Sequence, residues 1–277
     1  MGMRISTNIA AVNAQRTLVS SQRSISKSME QLSSGSRINK AADDAAGLAI
    51  SEGLKSQIRS LSQAQRNAND GISMVQTAEG GLNEVSNILT RMRELGVQAS
   101  SDTIGDTERG MLNKEVQQLK AESQRITQTT KFGTTKLIDG SGDKFDFQVG
   151  IGNDNEADRI SFNAGETNAS IDSLGIAGFD FSSKTGAQDS LAAIDEAQTK
   201  VNGFRAGLGA LQNRLTSTVD NLGVQNENIS AANSRIRDTD IAAATSEQAR
   251  NSVLLQSNTS VLAQANSMPQ AALKLIG

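Results

Sequence analysis

The chain has 277 residues, 36% of them hydrophobic and 3% aromatic, with no tryptophan, tyrosine, cysteine or histidine, a single proline and a formal net charge of −3. Without cysteine there is no disulfide or thiol chemistry, and without histidine Ser-His-Asp, Cys-His and His-zinc sites are ruled out. The small negative charge leaves no nucleic-acid footprint, and the scarcity of aromatics and proline favours thin, long helices over one thick core.

The opening "MGMRISTNIAAVNAQR" has no signal-peptide h-region, because Ser6, Thr7, Asn8 and Asn13 interrupt it. A Sec-cleaved precursor is not expected, and no apolar run approaches the length of a membrane span. Over 5–32, Ile5, Ile9, Val12, Val19, Ile25, Met29 and Leu32 step by threes, fours and their multiples, which predicts an amphipathic helix. Gly35 and Asn39 break it within "SSGSRINKAADD".

The longest periodic run follows over 44–98, from Ile50 through Leu61, Val75, Leu82 and Leu89 to Leu95. About 55 residues at ~1.5 Å each make a rod of roughly 80 Å. Asp43 and Asp44 precede it and read as helix caps rather than a catalytic pair, since adjacent residues do not face one site. Gly53, Gly71, Gly80 and Gly81 fall inside, each costing about 1 kcal/mol of propensity, so packing must supply the stability. A shorter helix is predicted over 107–129, and 131–143 reads as loop.

The stretch "KFDFQVG" alternates Phe145, Phe147 and Val149 with polar residues, and "RISF" returns with Ile160 and Phe162. Together they predict a β-hairpin, its turn set by Gly150 and Gly152. Eight acids against two bases over 141–183 suggest a solvated insert. "NDNEAD" offers oxygens of calcium-site type but lacks the glycine and distal glutamate of such a loop. A second long helix is predicted over 187–236, and after "RDTD" the chain is helical again from 241.

The tail carries Met268, Leu273, Leu275 and Ile276 with few charges nearby. A single amphipathic helix is marginal in water. Burying those four would give roughly 6–12 kcal/mol gross before association costs. The reading is of terminal helices disordered in the monomer and ordered in a polymer. Pro269 is expected to start or kink a last short helix. The fold class is mainly α, an elongated antiparallel bundle of long helices with a small β-hairpin insert.

Several stretches resemble bacterial flagellin, the subunit of the flagellar filament: "RISTNIAAVNAQRTL", "QLSSGSRINKAADDAAGLAISEGLKSQIRSLSQAQRNANDGISMVQTAEGGLNEV", "RMRELGVQA", "FQVGIGND", "LGALQNRL", "NISAANSRIRDTDIA" and "VLAQANSMPQAAL". The resemblance implies a structural, self-assembling subunit with no catalytic activity, cofactor or metal. It divides the chain into an inner tube domain (1–42 and 237–277), a rod domain (43–143 and 187–236) and the hairpin with a short insert (144–186), without large outer domains. Tube packing then falls to Ile5, Ile9, Val12, Ile25, Met29, Leu32, Val253, Leu254, Val261, Leu262, Met268, Leu273, Leu275 and Ile276.

The resemblance further implies export in an unfolded state through the flagellar type III channel to an extracellular filament, with no membrane insertion. The implied partners are further copies, an export chaperone on the C-terminal helices, the filament cap and the hook-filament junction proteins. Arg91, Leu95, Gln98 and Glu115 match positions of lateral contact and recognition by a toll-like receptor. Ser182, Ser183 and Thr185 are exposed candidates for O-glycosylation. A junction or adaptor protein of the same architecture is the alternative.

Overall fold

The computed structural model describes residues 7–276, with side chains to Met268. Ile5 and the side chains of Leu273, Leu275 and Ile276 therefore lie outside the described residues. In chain order the elements are α1 (Ile9–Ser34), α2 (Ala45–Ala99), α3 (Asp106–Thr129), β1 (Lys131–Phe132), β2 (Thr135–Lys136), β3 (Lys144–Gln148), β4 (Arg159–Asn163), α4 (Ile171–Leu174), α5 (Lys184–Arg237) and α6 (Ile241–Ile276). Two compact units result, Met1–Gln57 with Asn228–Gly277, and Ile58–Glu227.

In the first unit, α1 starts at Asn8, whose side chain accepts from the Ala11 amide, and stops at Gly35 in the left-handed region, φ 68°. Asp44 caps α2, accepting from the Gly47 amide at 2.8 Å. Asp43 does something else. It accepts from the Lys40 amide at 3.1 Å and pairs with Lys27 at 3.1 Å, tying the loop back to α1. The Lys27 hydrogen bond and then the Lys40 amide hold its carboxyl below the ordinary aspartate range. Asp240 caps α6 through the amides of Ala242 and Ala243. That helix runs on without interruption to Ile276, so Pro269 begins no separate element.

The second unit has the core. One face of α2 supplies Val75, Leu82, Val85, Leu89, Met92 and Leu95, and α5 supplies Ile194, Val201, Leu208 and Leu215. The segment between α3 and α5 fills the rest. Leu137, Ile138, Phe162, Leu174, Ile176, Phe179 and Phe181 are all buried in it. The insert is thus core material rather than a solvated appendage: its acids occupy alternate or turn positions. In the antiparallel β3–β4 pair, Phe145 faces Phe162 and Phe147 faces Ile160, while Asp146 opposite Ser161 points outward. Two helix glycines make room for this segment. A Cβ at Gly71 would lie 3.2 Å from the Phe147 ring, and one at Gly81 only 2.5 Å from Thr130 Oγ1.

The stretch 131–143 is not all loop. Residues 131–136 fold back as the antiparallel pair β1–β2, turning at Gly133 with φ 61°. Strands of two residues carry no readable alternation.

The α2–α3 corner is held by a buried guanidinium. Arg109 donates to the Ala99 and Ser101 carbonyls, each at 2.9 Å, and to Asp106 at 2.8 Å. Carbonyls at a helix C-terminus have no partner within the helix, and Arg109 supplies one to Ala99. Arg109→Ala should lower unfolding stability by about 2–3 kcal/mol. Urea titration followed by circular dichroism measures it; an unchanged midpoint would show that water replaces the guanidinium.

Candidate functional site

The first unit presents two faces of one antiparallel helix pair. On α1 the seam takes Ala11, Ala14, Leu18, Ser21, Ile25, Ser28 and Leu32, with Ser24 and Gln31 half-buried beside it, and on α6 it takes Ala244, Gln248, Asn251, Leu255, Asn258, Leu262 and Ala265. Both sets step alternately by three and four, the period of a coiled-coil seam. Ala14, Ser21 and Ser28 form a buried row seven residues apart. Small side chains let the two backbones approach closely.

Polar contacts fix the register of this seam. Asn8 Nδ2 donates to the Ala265 carbonyl at 2.8 Å, and Asn258 Nδ2 to Ser21 Oγ at 3.4 Å. At the base of the pair the two chain passes lock together. The Arg37 amide donates to the Arg237 carbonyl at 2.6 Å and the Thr239 amide to the Gly35 carbonyl at 3.0 Å. Arg37 Nη2 adds a bond to the Ile236 carbonyl at 2.7 Å.

The seam itself holds Leu18, Ile25, Leu32, Leu255 and Leu262, and further large apolar residues are left outside it. Ile9, Val12, Val19 and Met29 on α1 are exposed, as are Ile241, Val253, Leu254, Val261 and Met268 on α6, with Val253 reaching 67%. Leu254, Val261 and Met268 lie seven apart and so share one face. Of the expected tube residues, Ile25, Leu32 and Leu262 are half-buried in the seam instead. Sequence reasoning missed the seam because it followed large side chains. The seven-residue spacing of Ala14, Ser21 and Ser28 was the available signal.

The residues expected to meet neighbours or a receptor part company. Leu95 is 1% exposed and belongs to the core, so it does not join a surface. Arg91, Gln98 and Glu115 are exposed. Arg91 is engaged within the chain, with Glu94 at 3.0 Å and Glu115 at 2.9 Å, and Arg93 pairs with Asp195 at 2.7 Å. The hydrogen bonds that Arg91 donates to Glu94 and then Glu115 raise its pKa, and the one that Arg93 donates to Asp195 raises that of Arg93. These pairs clip α2 to α3 and to α5, and at such exposure each is worth little.

At the hairpin tip, Gly150 and Gly152 both have ordinary negative φ among the described residues. They are needed for space: a Cβ on either would strike the Asp158 carboxylate. The loop oxygens are used internally. Arg159 donates to Gln148 Oε1 at 3.1 Å, to Asn153 Oδ1 at 2.7 Å and to Asn155 Oδ1. Among the described residues no cluster of three or more carboxylates could hold a metal ion. Ser182, Ser183 and Thr185 are exposed, and Ser183 Oγ accepts from the Gly186 amide at the start of α5. Among the described residues no helix is long and apolar enough to cross a membrane.

Comparison with known proteins matches both helical ends of the chain. Residues 5–143 match the bacterial flagellin N-terminal helical region, and residues 191–276 match the bacterial flagellin C-terminal helical region. The chain is 47% identical over 274 residues to a flagellin of Halalkalibacterium halodurans, covering 99% of this chain and 100% of that protein. It is 41% identical to a flagellin of Bacillus subtilis, again over 99% of this chain and 100% of the other. The crystal structure of Bacillus cereus flagellin superposes with a TM-score of 0.51 at 31% identity, covering 61% of this chain and 94% of that one. With both terminal regions matched and full-length relatives this similar, the chain belongs to the bacterial flagellin family.

Proposed function

We propose that this structural subunit of the flagellar filament joins its neighbours through the outward apolar face of the α1–α6 pair. One observation carries the reading: nine large apolar side chains stand exposed on two helices whose mutual seam is already closed by other residues. At roughly 1 kcal/mol for each half-exposed side chain, covering them gives on the order of 10 kcal/mol gross, part of which goes to ordering and association. In this reading 1–42 and 237–277 line an inner tube, 43–143 and 187–236 form the surrounding rods, and 144–186 packs against the rods.

The same reading has the chain leave the cell unfolded through the flagellar type III channel and assemble outside. Few prolines and no cysteines suit that route, since neither slow isomerisation nor disulfides delay refolding. An export chaperone would cover the apolar face of α6, and the cap and hook-filament junction proteins would meet the filament ends. Arg91, Gln98 and Glu115 form the exposed remainder of the surface proposed for lateral contact or for a toll-like receptor. Ser182 and Thr185 keep exposed hydroxyls for glycosylation.

Electron microscopy of the purified chain, salted out onto filament seeds, tests the assembly reading. Long filaments are expected from the full chain and none from a chain ending at Asp240. Continued polymerisation without α6 would overturn the proposal. Capping of seeds without growth would favour a junction protein.

A further inference from the structure

We infer that Met29 and Met268 are oxidation sites at which a peroxide blocks subunit assembly, and that assembly in turn shields them. The inference rests on the assembly reading above and adds its chemical regulation. The chain has no cysteine, tryptophan, tyrosine or histidine, so its seven methionines carry all of its readily oxidised side chains. Met74 and Met92 are buried in the core, and Met1 and Met3 lie outside the described residues. Three remain open to solvent: Met29 at 55%, Met268 at 54% and Met111 at 64% exposure.

Two of the three belong to the assembly face. Met268 continues the Leu254–Val261 row by another seven residues, and Met29 lies ten residues beyond Val19, beside the Val12–Val19 face in the seven-residue repeat. Met111 is on α3, in the other unit. The chemistry is a two-electron oxygen transfer. The thioether sulfur attacks hydrogen peroxide, an S–O bond forms as the O–O bond breaks, and water leaves: one sulfide and one peroxide become one sulfoxide and one water. Sulfur is oxidised and peroxide reduced. The product is polar and chiral, with a strong acceptor oxygen. Covered by the apolar side chains of a neighbouring subunit, that oxygen would lose its water, and burying it without a donor is unfavourable. A free subunit would therefore be sensitive, whereas a subunit already in a filament would have both sulfurs covered.

The test uses the full chain, hydrogen peroxide and pelleting of polymer, with site-resolved mass spectrometry. Peroxide-treated subunits should need at least tenfold more protein to polymerise, and methionine sulfoxide reductase should restore them. The double variant Met29→Leu, Met268→Leu, which conserves volume, should keep its polymerisation within twofold after the same treatment. Met111→Leu should stay as sensitive as the parent chain. In preformed filaments, Met29 and Met268 should oxidise at least tenfold more slowly than Met111. Undiminished polymerisation of the oxidised parent chain would overturn the inference, as would equal sensitivity of the double variant. Failure of untreated protein to polymerise would overturn the assembly reading itself.

Discussion

Val261→Asp should abolish filament formation while leaving the helical content of the free subunit unchanged. Val261 sits mid-way along the outward row of α6 and is 52% exposed, so a carboxylate there is solvated in the monomer. Between apolar neighbours it would lose that water without gaining a partner. The penalty for an unpaired buried charge is several kcal/mol. Each 1.4 kcal/mol raises the concentration needed for assembly about tenfold, so a loss of more than 100-fold is expected. Val261→Leu keeps the row apolar and should assemble. Pelleting against protein concentration, beside far-ultraviolet circular dichroism of the monomer, separates loss of assembly from loss of fold. Normal filaments from Val261→Asp would move the subunit contact away from this face.

Phe181→Ala should produce the opposite pattern: a large loss of stability in the Ile58–Glu227 unit with the terminal face untouched. Phe181 is fully buried. Its ring lies 6.4 Å from that of Phe179, and its ring edge lies 3.4 Å from where a Cβ on Gly96 would stand. Emptying this site between α2 and the start of α5 should cost about 3–5 kcal/mol, lowering the melting temperature by on the order of 10 °C. Phe132, 38% exposed on the β1–β2 hairpin, is the control, with an expected change below about 1 kcal/mol on replacement by alanine. Equal melting of the two variants would show that Phe181 is not part of the core.

The long helices were legible because their apolar residues recur every three or four positions and nothing interrupts them. Gly71 and Gly81 looked like weaknesses in α2, and their use became visible only once Phe147 and Thr130 were seen against them. The insert was harder to read. Its acids suggested a solvated segment, yet in β3 the exposed Asp146 alternates with the half-buried Phe145 and Phe147, and net charge says nothing about which side of a strand faces in. The tube residues expected on the terminal helices were chosen by size alone. The intramolecular seam instead takes alanine, serine and asparagine together with Leu18, Ile25, Leu32, Leu255 and Leu262, and leaves other large side chains outside. Leu95 was assigned to a surface by resemblance, although its place in the apolar period of α2 already pointed to the core where it lies.

The tip of the β3–β4 hairpin has one further consequence. Its asparagine and glutamine oxygens converge on the guanidinium of Arg159, while Gln148 also donates to the Gly150 and Gly152 carbonyls. The cation that organises this loop is covalently part of the chain. A chelator does not remove a guanidinium, so the contacts that Arg159 makes across the tip are independent of the ionic supply of the medium around the cell.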